Sequence, residues 1–137
     1  MKIADANKEY SYTPTLVYSC QYHVIWATKY RRNVLTPEVQ IRLKEIIKQV
    51  SEEMKFSVLE MEMMEDHVHL LLDVNPHIGI YKIVSQIKGM SSKLLREEFN
   101  FLKTRLPTLW TRGKFISTVG SVSLEVVKKY IEGQKNK

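Results

Sequence analysis

From Leu16 to Trp26 the chain alternates, with Tyr18, Cys20, Tyr22, Val24 and Trp26 on one side and Val17, Ser19, Gln21, His23 and Ile25 on the other. A period of two predicts a strand with one greasier face. The period then changes. Thr36-Pro37-Glu38 combines an N-cap residue, a proline at the first helical position and an early acid. Val39, Leu43, Ile46, Ile47 and Val50 recur at helical spacing to about Met54, leaving Lys44, Lys48 and Glu52 for solvent. Alternation returns from Phe56 to Met63, setting Phe56, Val58, Glu60 and Glu62 against Ser57, Leu59, Met61 and Met63. After Met64-Glu65-Asp66, residues His67 to Val74 form a second strand, and the pair reads as a hairpin. Asn75-Pro76 ends it. Ile80, Ile83, Val84, Ile87, Leu94, Leu95 and Phe99 restore the helical period from about Gly79, with Gly89 as its weak point. Pro107 to Gly113 reads as a turn region containing Trp110, and Lys114 to Val119 as a short strand. Gly120-Ser121-Val122-Ser123 caps a last helix running to about Gln134.

The order is strand, helix, strand, strand, helix, strand, helix. It predicts an α+β fold of the ferredoxin-like, split βαβ kind, an antiparallel sheet with helices on one face, plus a C-terminal helix. The other face is left for a ligand, an oligomer partner or the terminal helix. Residues 1–15 lack a sustained period and read as an N-terminal arm; residues 16–137 read as a single domain.

Composition narrows the class. At 137 residues with 44% apolar and 26% charged positions, one domain with its own core is expected. A single cysteine, Cys20, excludes an internal disulfide framework and a Cys-rich zinc module, and suits a reducing, cytoplasmic setting. No apolar run approaches the roughly 20 residues that span a bilayer, so no membrane partner is expected. The formal charge of +6 favours an anionic partner such as nucleic acid.

Alternation along a strand puts His67 and His69 on the same side while Val68, Leu70, Leu72 and Val74 take the other. Because the apolar set belongs against the helices, the imidazoles should share the open face, either within reach of one metal ion or phosphate or as two half-exposed strand histidines. Tyr130 and Gln134, four residues apart on the last helix, share one stripe. A phenolate is a workable nucleophile toward phosphorus and a Gln amide oxygen a neutral ligand to a hard divalent ion; an ordinary amphipathic helix carries the same two residues. His23 falls on the more polar face of its strand, beside the site. Glu60 and Glu62 lie near the histidine pair on what also reads as a solvated strand face. Lys29, Arg31, Arg32, Lys82, Lys88, Lys93, Arg112 and Lys114 are candidate phosphate contacts, and Tyr30 and Trp110 candidate stackers for unpaired bases.

Asp66-His67-Val68-His69-Leu70-Leu71-Leu72 resembles the histidine, hydrophobe, histidine motif of the HUH endonucleases. Tyr130-Ile131-Glu132-Gly133-Gln134 resembles the single tyrosine and trailing Gln of their small insertion-sequence transposases of the IS200/IS605 type. Tyr22-His23-Val24-Ile25-Trp26 with Thr28-Lys29-Tyr30-Arg31-Arg32, Lys88-Gly89-Met90-Ser91-Ser92, Leu109-Trp110 and Ser117-Thr118-Val119-Gly120 agree in order. The resemblance spans roughly residues 16 to 134; Phe115 stands where relatives often have tyrosine. It implies a single HUH transposase domain that cleaves and rejoins single-stranded DNA at insertion-sequence ends. Tyr130 would form a 5′-phosphotyrosine, and His67, His69 and Gln134 would hold a divalent metal, Mg²⁺ or alternatively Mn²⁺. Lys29, Arg31, Arg32 and Lys88 fall inside the resembling segments as DNA-binding residues.

The implied partners are single-stranded DNA with hairpin ends and a second copy of the chain, without a nucleotide cofactor, at the nucleoid of a prokaryotic cell. A domesticated HUH nuclease, a replication-type nickase and a noncatalytic single-stranded nucleic-acid-binding module are the alternative readings. The chemistry is demanding: a phenol with pKa of about 10 is roughly 0.1% ionised at pH 7, a deficit of about 4 kcal/mol before attack begins.

Overall fold

A computed structural model describes residues 3–5 and 8–119, so the expected last helix with Tyr130 and Gln134 lies outside the described residues. The strands are β1 (Ile3–Asp5), β2 (Lys8–Thr13), β3 (Leu16–Tyr18), β4 (Gln21–Ala27), β5 (Ser57–Met63), β6 (His67–Asp73) and β7 (Phe115–Thr118). The helices are α1 (Pro37–Met54), α2 (Ile80–Glu98) and α3 (Asn100–Arg105). A four-stranded sheet runs β5-β6-β4-β7, every neighbour antiparallel. Counted from β4, that is the strand order of the split βαβ arrangement expected from the sequence.

The two long helices start and stop as their end residues dictate. The Thr36 side chain accepts from the Val39 N–H and Pro37 opens α1, while Lys55 ends it in the left-handed region at φ 57°. Gly79, at φ 89°, precedes α2, and Gly89 leaves that helix unbroken, with nothing within 4 Å of where its Cβ would lie. Val39, Leu43, Ile46, Ile47 and Val50 of α1 and Ile83, Val84, Ile87 and Leu95 of α2 are buried. They share one core with Val24, Trp26, Val68, Leu70 and Leu72 of the sheet. Each such side chain contributes about 1.5–3 kcal/mol by leaving water, which fixes which sheet face is inside.

Three local readings are corrected. The strand expected over Leu16–Trp26 is two strands, because at Ser19-Cys20 the chain changes partners. β3 pairs with β2, whereas the Cys20 N–H turns to Asp73 Oδ1 at 3.1 Å and β4 pairs with β6. The arm is not irregular: β1, β2 and β3 form a small antiparallel sheet, and Pro14-Thr15 makes the two-residue link between paired Thr13 and Leu16. Last, Val58 does not share a face with Glu60 and Glu62. A bulge between Val58 and Glu60 shifts the register, so Val58, Met61 and Met63 pack on the core and half-exposed Leu59 absorbs the extra residue. The run Asn100–Arg105, to which the sequence pattern assigned no element, forms α3.

Candidate active site

The open face of the sheet carries the imidazoles. Register pairs His69 with Ile25 on one side and Glu62 on the other, His67 with Ala27, and His23 with Leu71. Directly paired residues share a face, so His23, Ile25, Ala27, His67, His69, Leu71, Glu60 and Glu62 stand on the side opposite the helices. Phe115 pairs with Ile25 and Ser117 with His23, extending that face across β7. Phe115 is 59% exposed and Ile25 37%.

His67 is held from behind. Its Nδ1 lies 2.8 Å from Asp66 Oδ1, and because an ionised carboxylate only accepts, Nδ1 carries a proton, which in the neutral ring leaves the lone pair on Nε2. Asp66 Oδ2 receives the Arg31 guanidinium from Nε at 3.2 Å and Nη2 at 3.1 Å. The hydrogen bond from His67, reinforced by the Arg31 charge, holds the Asp66 carboxyl below the usual carboxylate range. The backbone fixes this chain of contacts: the Thr28 N–H donates to Asp66 O at 2.9 Å, and the buried Thr28 hydroxyl reaches Arg32 O at 2.7 Å and Asp66 O at 3.2 Å. A bridge between Thr28 and Trp110 joins the same turn to the segment before β7.

His69 has two neighbours. His23 Nδ1 lies 2.9 Å from its Nε2, with ring centroids 5.0 Å apart and planes 25° from parallel, and Glu62 Oε2 lies 3.8 Å from its Nδ1. As a donor set the site fits a divalent ion only in part. His67 and His69 supply two imidazoles on one face, one of them backed by a carboxylate as metal-ligating histidines generally are. Among the described residues no group of three His, Cys, Asp or Glu side chains is placed to hold an ion.

The basic residues divide. Arg32 is exposed and Lys29 half-buried on the turn, Lys29 Nζ lying 5.1 Å over the Tyr30 ring, itself exposed. Arg31 is committed to Asp66. Lys88 is committed to the loop before β7: its Nζ donates to the carbonyls of Thr111 at 2.8 Å and of Arg112 and Gly113 at 3.3 Å. Burial, then the Lys114 charge, lowers its pKa. Trp110 is buried, its Nε1–H donating to Ser91 Oγ at 3.0 Å, so it is a core residue and not a base stacker. Lys114 lies 4.4 Å over the exposed Tyr81 ring. Asp66 and Thr28 were not singled out from the sequence. The available signal was their position: Asp66 directly precedes His67, and Thr28 opens the basic turn. No described helix is long and apolar enough to cross a membrane.

Comparison with known proteins places this geometry. A family profile described as "Transposase IS200 like" matches residues 16–134. The chain is 38% identical over 123 residues to the ISDra2 transposase TnpA of Deinococcus radiodurans, covering 88% of each. It is 32% identical to the transposase for insertion sequence element IS200 of Salmonella typhimurium, across 85% of this chain and 78% of that protein. Among solved structures, a candidate transposase from Deinococcus radiodurans superposes with a TM-score of 0.75 at 34% identity, over 90% of this chain and 97% of that one. A REP-associated tyrosine transposase bound to a REP hairpin shares the fold, with a TM-score of 0.58 at 14% identity, over 90% of this chain and 67% of that one. With its motifs, strand order and paired histidines in agreement, the chain belongs to the IS200-like transposase family.

Proposed function

We propose that this chain cleaves and rejoins single-stranded DNA at the ends of a mobile element, with Tyr130 as nucleophile and His67, His69 and Gln134 as the holders of Mg²⁺ or Mn²⁺. The observation that carries the proposal is the pair of imidazoles on the open face of β6, with Asp66 behind His67 directing its free nitrogen outward. When bound, the ion supplies a Lewis acid that polarises the scissile phosphate and offsets charge growing on its oxygens.

In the cleavage step the Tyr130 Oη–P bond forms as the P–O3′ bond breaks. The phenol loses its proton and the departing 3′ oxygen gains one, so the products are a 5′-phosphotyrosine and a 3′-hydroxyl. One phosphoester replaces another, so the bond energy is retained and the reverse attack by a different 3′-hydroxyl rejoins the strand. Lys29 and Arg32 are the proposed phosphate contacts, while Arg31 and Lys88, already engaged by protein acceptors, add positive field around the path. The likeness to a fold neighbour bound to a REP hairpin supports DNA with hairpin ends as the partner. We place the reaction in a homodimer acting at the nucleoid of a prokaryotic cell.

The test incubates the protein with labelled single-stranded DNA carrying candidate hairpin ends and Mg²⁺ or Mn²⁺. A covalent adduct that survives denaturation is expected from the parent and none from Tyr130→Phe. His67→Ala should abolish cleavage and keep most hairpin binding, because phosphate contacts elsewhere carry affinity. An adduct persisting in Tyr130→Phe overturns the nucleophile; binding lost as completely as cleavage in folded His67→Ala overturns the metal role.

A further inference from the structure

The basic turn holds two consecutive non-glycine residues at positive φ, Tyr30 at 56° and Arg31 at 51°. L side chains avoid this region because Cβ crowds the following carbonyl, and such strain persists only where surrounding contacts over-determine it. Here Thr28 supplies those contacts, through its hydroxyl to Arg32 O and Asp66 O and through its carbonyl, which accepts from the Arg31 N–H at 3.0 Å. The result is a guanidinium that, although its side chain is 72% exposed, reaches back to a carboxylate of the protein. Both its Nε and its Nη2 reach Asp66 Oδ2, and the other carboxylate oxygen is taken by His67 Nδ1. A guanidinium fork suits a planar carboxylate in a way an ammonium does not.

We propose that Arg31 is a positioning residue for His67: acting through Asp66, it holds the ring with Nδ1 protonated and the Nε2 lone pair toward the open face. This rests on the reading of His67 as a ligand, and it gives the strained turn a function separate from contacting DNA. A residue serving only as a phosphate contact would need neither the strained backbone nor a committed carboxylate partner.

The experiment uses the full chain free of metal. Its readouts are ¹⁵N NMR of the His67 ring, Mn²⁺ affinity by electron paramagnetic resonance, hairpin affinity without metal, and melting temperature. Arg31→Gly removes the side chain and relieves the φ of 51°, so it should melt at or above the parent temperature. It should nevertheless lose the single Nδ1–H ring form and bind Mn²⁺ about 3- to 10-fold more weakly. Asp66→Asn should weaken Mn²⁺ about 10- to 100-fold, the range for losing a ligand's supporting partner. Arg31→Lys, keeping charge without the fork, should fall between the parent and Arg31→Gly.

An Arg31→Gly protein with unchanged ring state and Mn²⁺ affinity but weakened hairpin binding overturns the proposal and makes Arg31 a phosphate contact. If His67→Ala leaves Mn²⁺ binding intact, the ligand assignment has failed instead, and the ring state in metal-free Arg31→Gly still decides whether Arg31 positions His67.

Discussion

Replacing His23 by Phe should move two measurements in opposite directions. His23 Nδ1 and His69 Nε2 are 2.9 Å apart, so one proton lies between them. Glu62 Oε2, 3.8 Å from His69 Nδ1, favours the form with that nitrogen protonated. His23 Nδ1–H then donates to the His69 Nε2 lone pair and stands where a cation would. Such a bond stabilises the fold by about 0.5–1.5 kcal/mol net, and an ion taking Nε2 must displace it. Phe keeps a ring at the 5.0 Å stacking distance and removes the N–H. The metal-free variant should therefore lose about 1 kcal/mol, roughly 3–5 °C in Tm. Its affinity for Mn²⁺ should rise about 5-fold, the equivalent of that same 1 kcal/mol. Calorimetric titration and thermal denaturation of metal-free protein measure the two. Weaker Mn²⁺ binding by the variant would refute the reasoning and make His23 a donor to the ion; an unchanged Tm would show that the 2.9 Å contact contributes nothing.

Deleting Leu59 takes out the one extra residue, after which Val58 and Glu60 are consecutive, Val58, Met61 and Met63 keep the core face, and Glu60 and Glu62 keep the open one. Chemical denaturation should therefore show a change below about 1 kcal/mol, and a loss above about 2 kcal/mol, the scale of driving one buried side chain out of the core, would contradict the register. Lys88→Met frees three loop carbonyls and should cost about 1 kcal/mol. Because the folded pKa of Lys88 is lowered, the unfolded chain binds more protons between that value and about 10.4, so the parent's stability advantage over Lys88→Met should widen as pH rises through this window. A gap that narrows there would overturn the sign.

Much of the site was legible because strand alternation reports faces directly. Val68, Leu70 and Leu72 had to go inward, which placed His67 and His69 outward together, and the same logic put His23 on that face. What alternation does not report is lateral distance. The His23–His69 contact is diagonal across β4 and β6, and it depends on a register set by the whole strand pair. Asp66 and Thr28 act through main-chain links to distant segments, which no local pattern encodes. The β5 bulge was hidden for a different reason: Val58, Glu60 and Glu62 fall in unbroken alternation, and only packing of Met61 and Met63 reveals the extra residue. In the arm, strands of three to six residues are too short for periodicity to rise above chance.

The most direct test of the account is to digest the DNA-treated protein and locate the nucleotide by mass spectrometry, with and without Mn²⁺. The prediction is a 5′-phosphonucleotide on the peptide containing Tyr130, formed by the parent with metal and absent from His67→Ala. A nucleotide attached to any other residue, or the same yield on Tyr130 in His67→Ala, would contradict it.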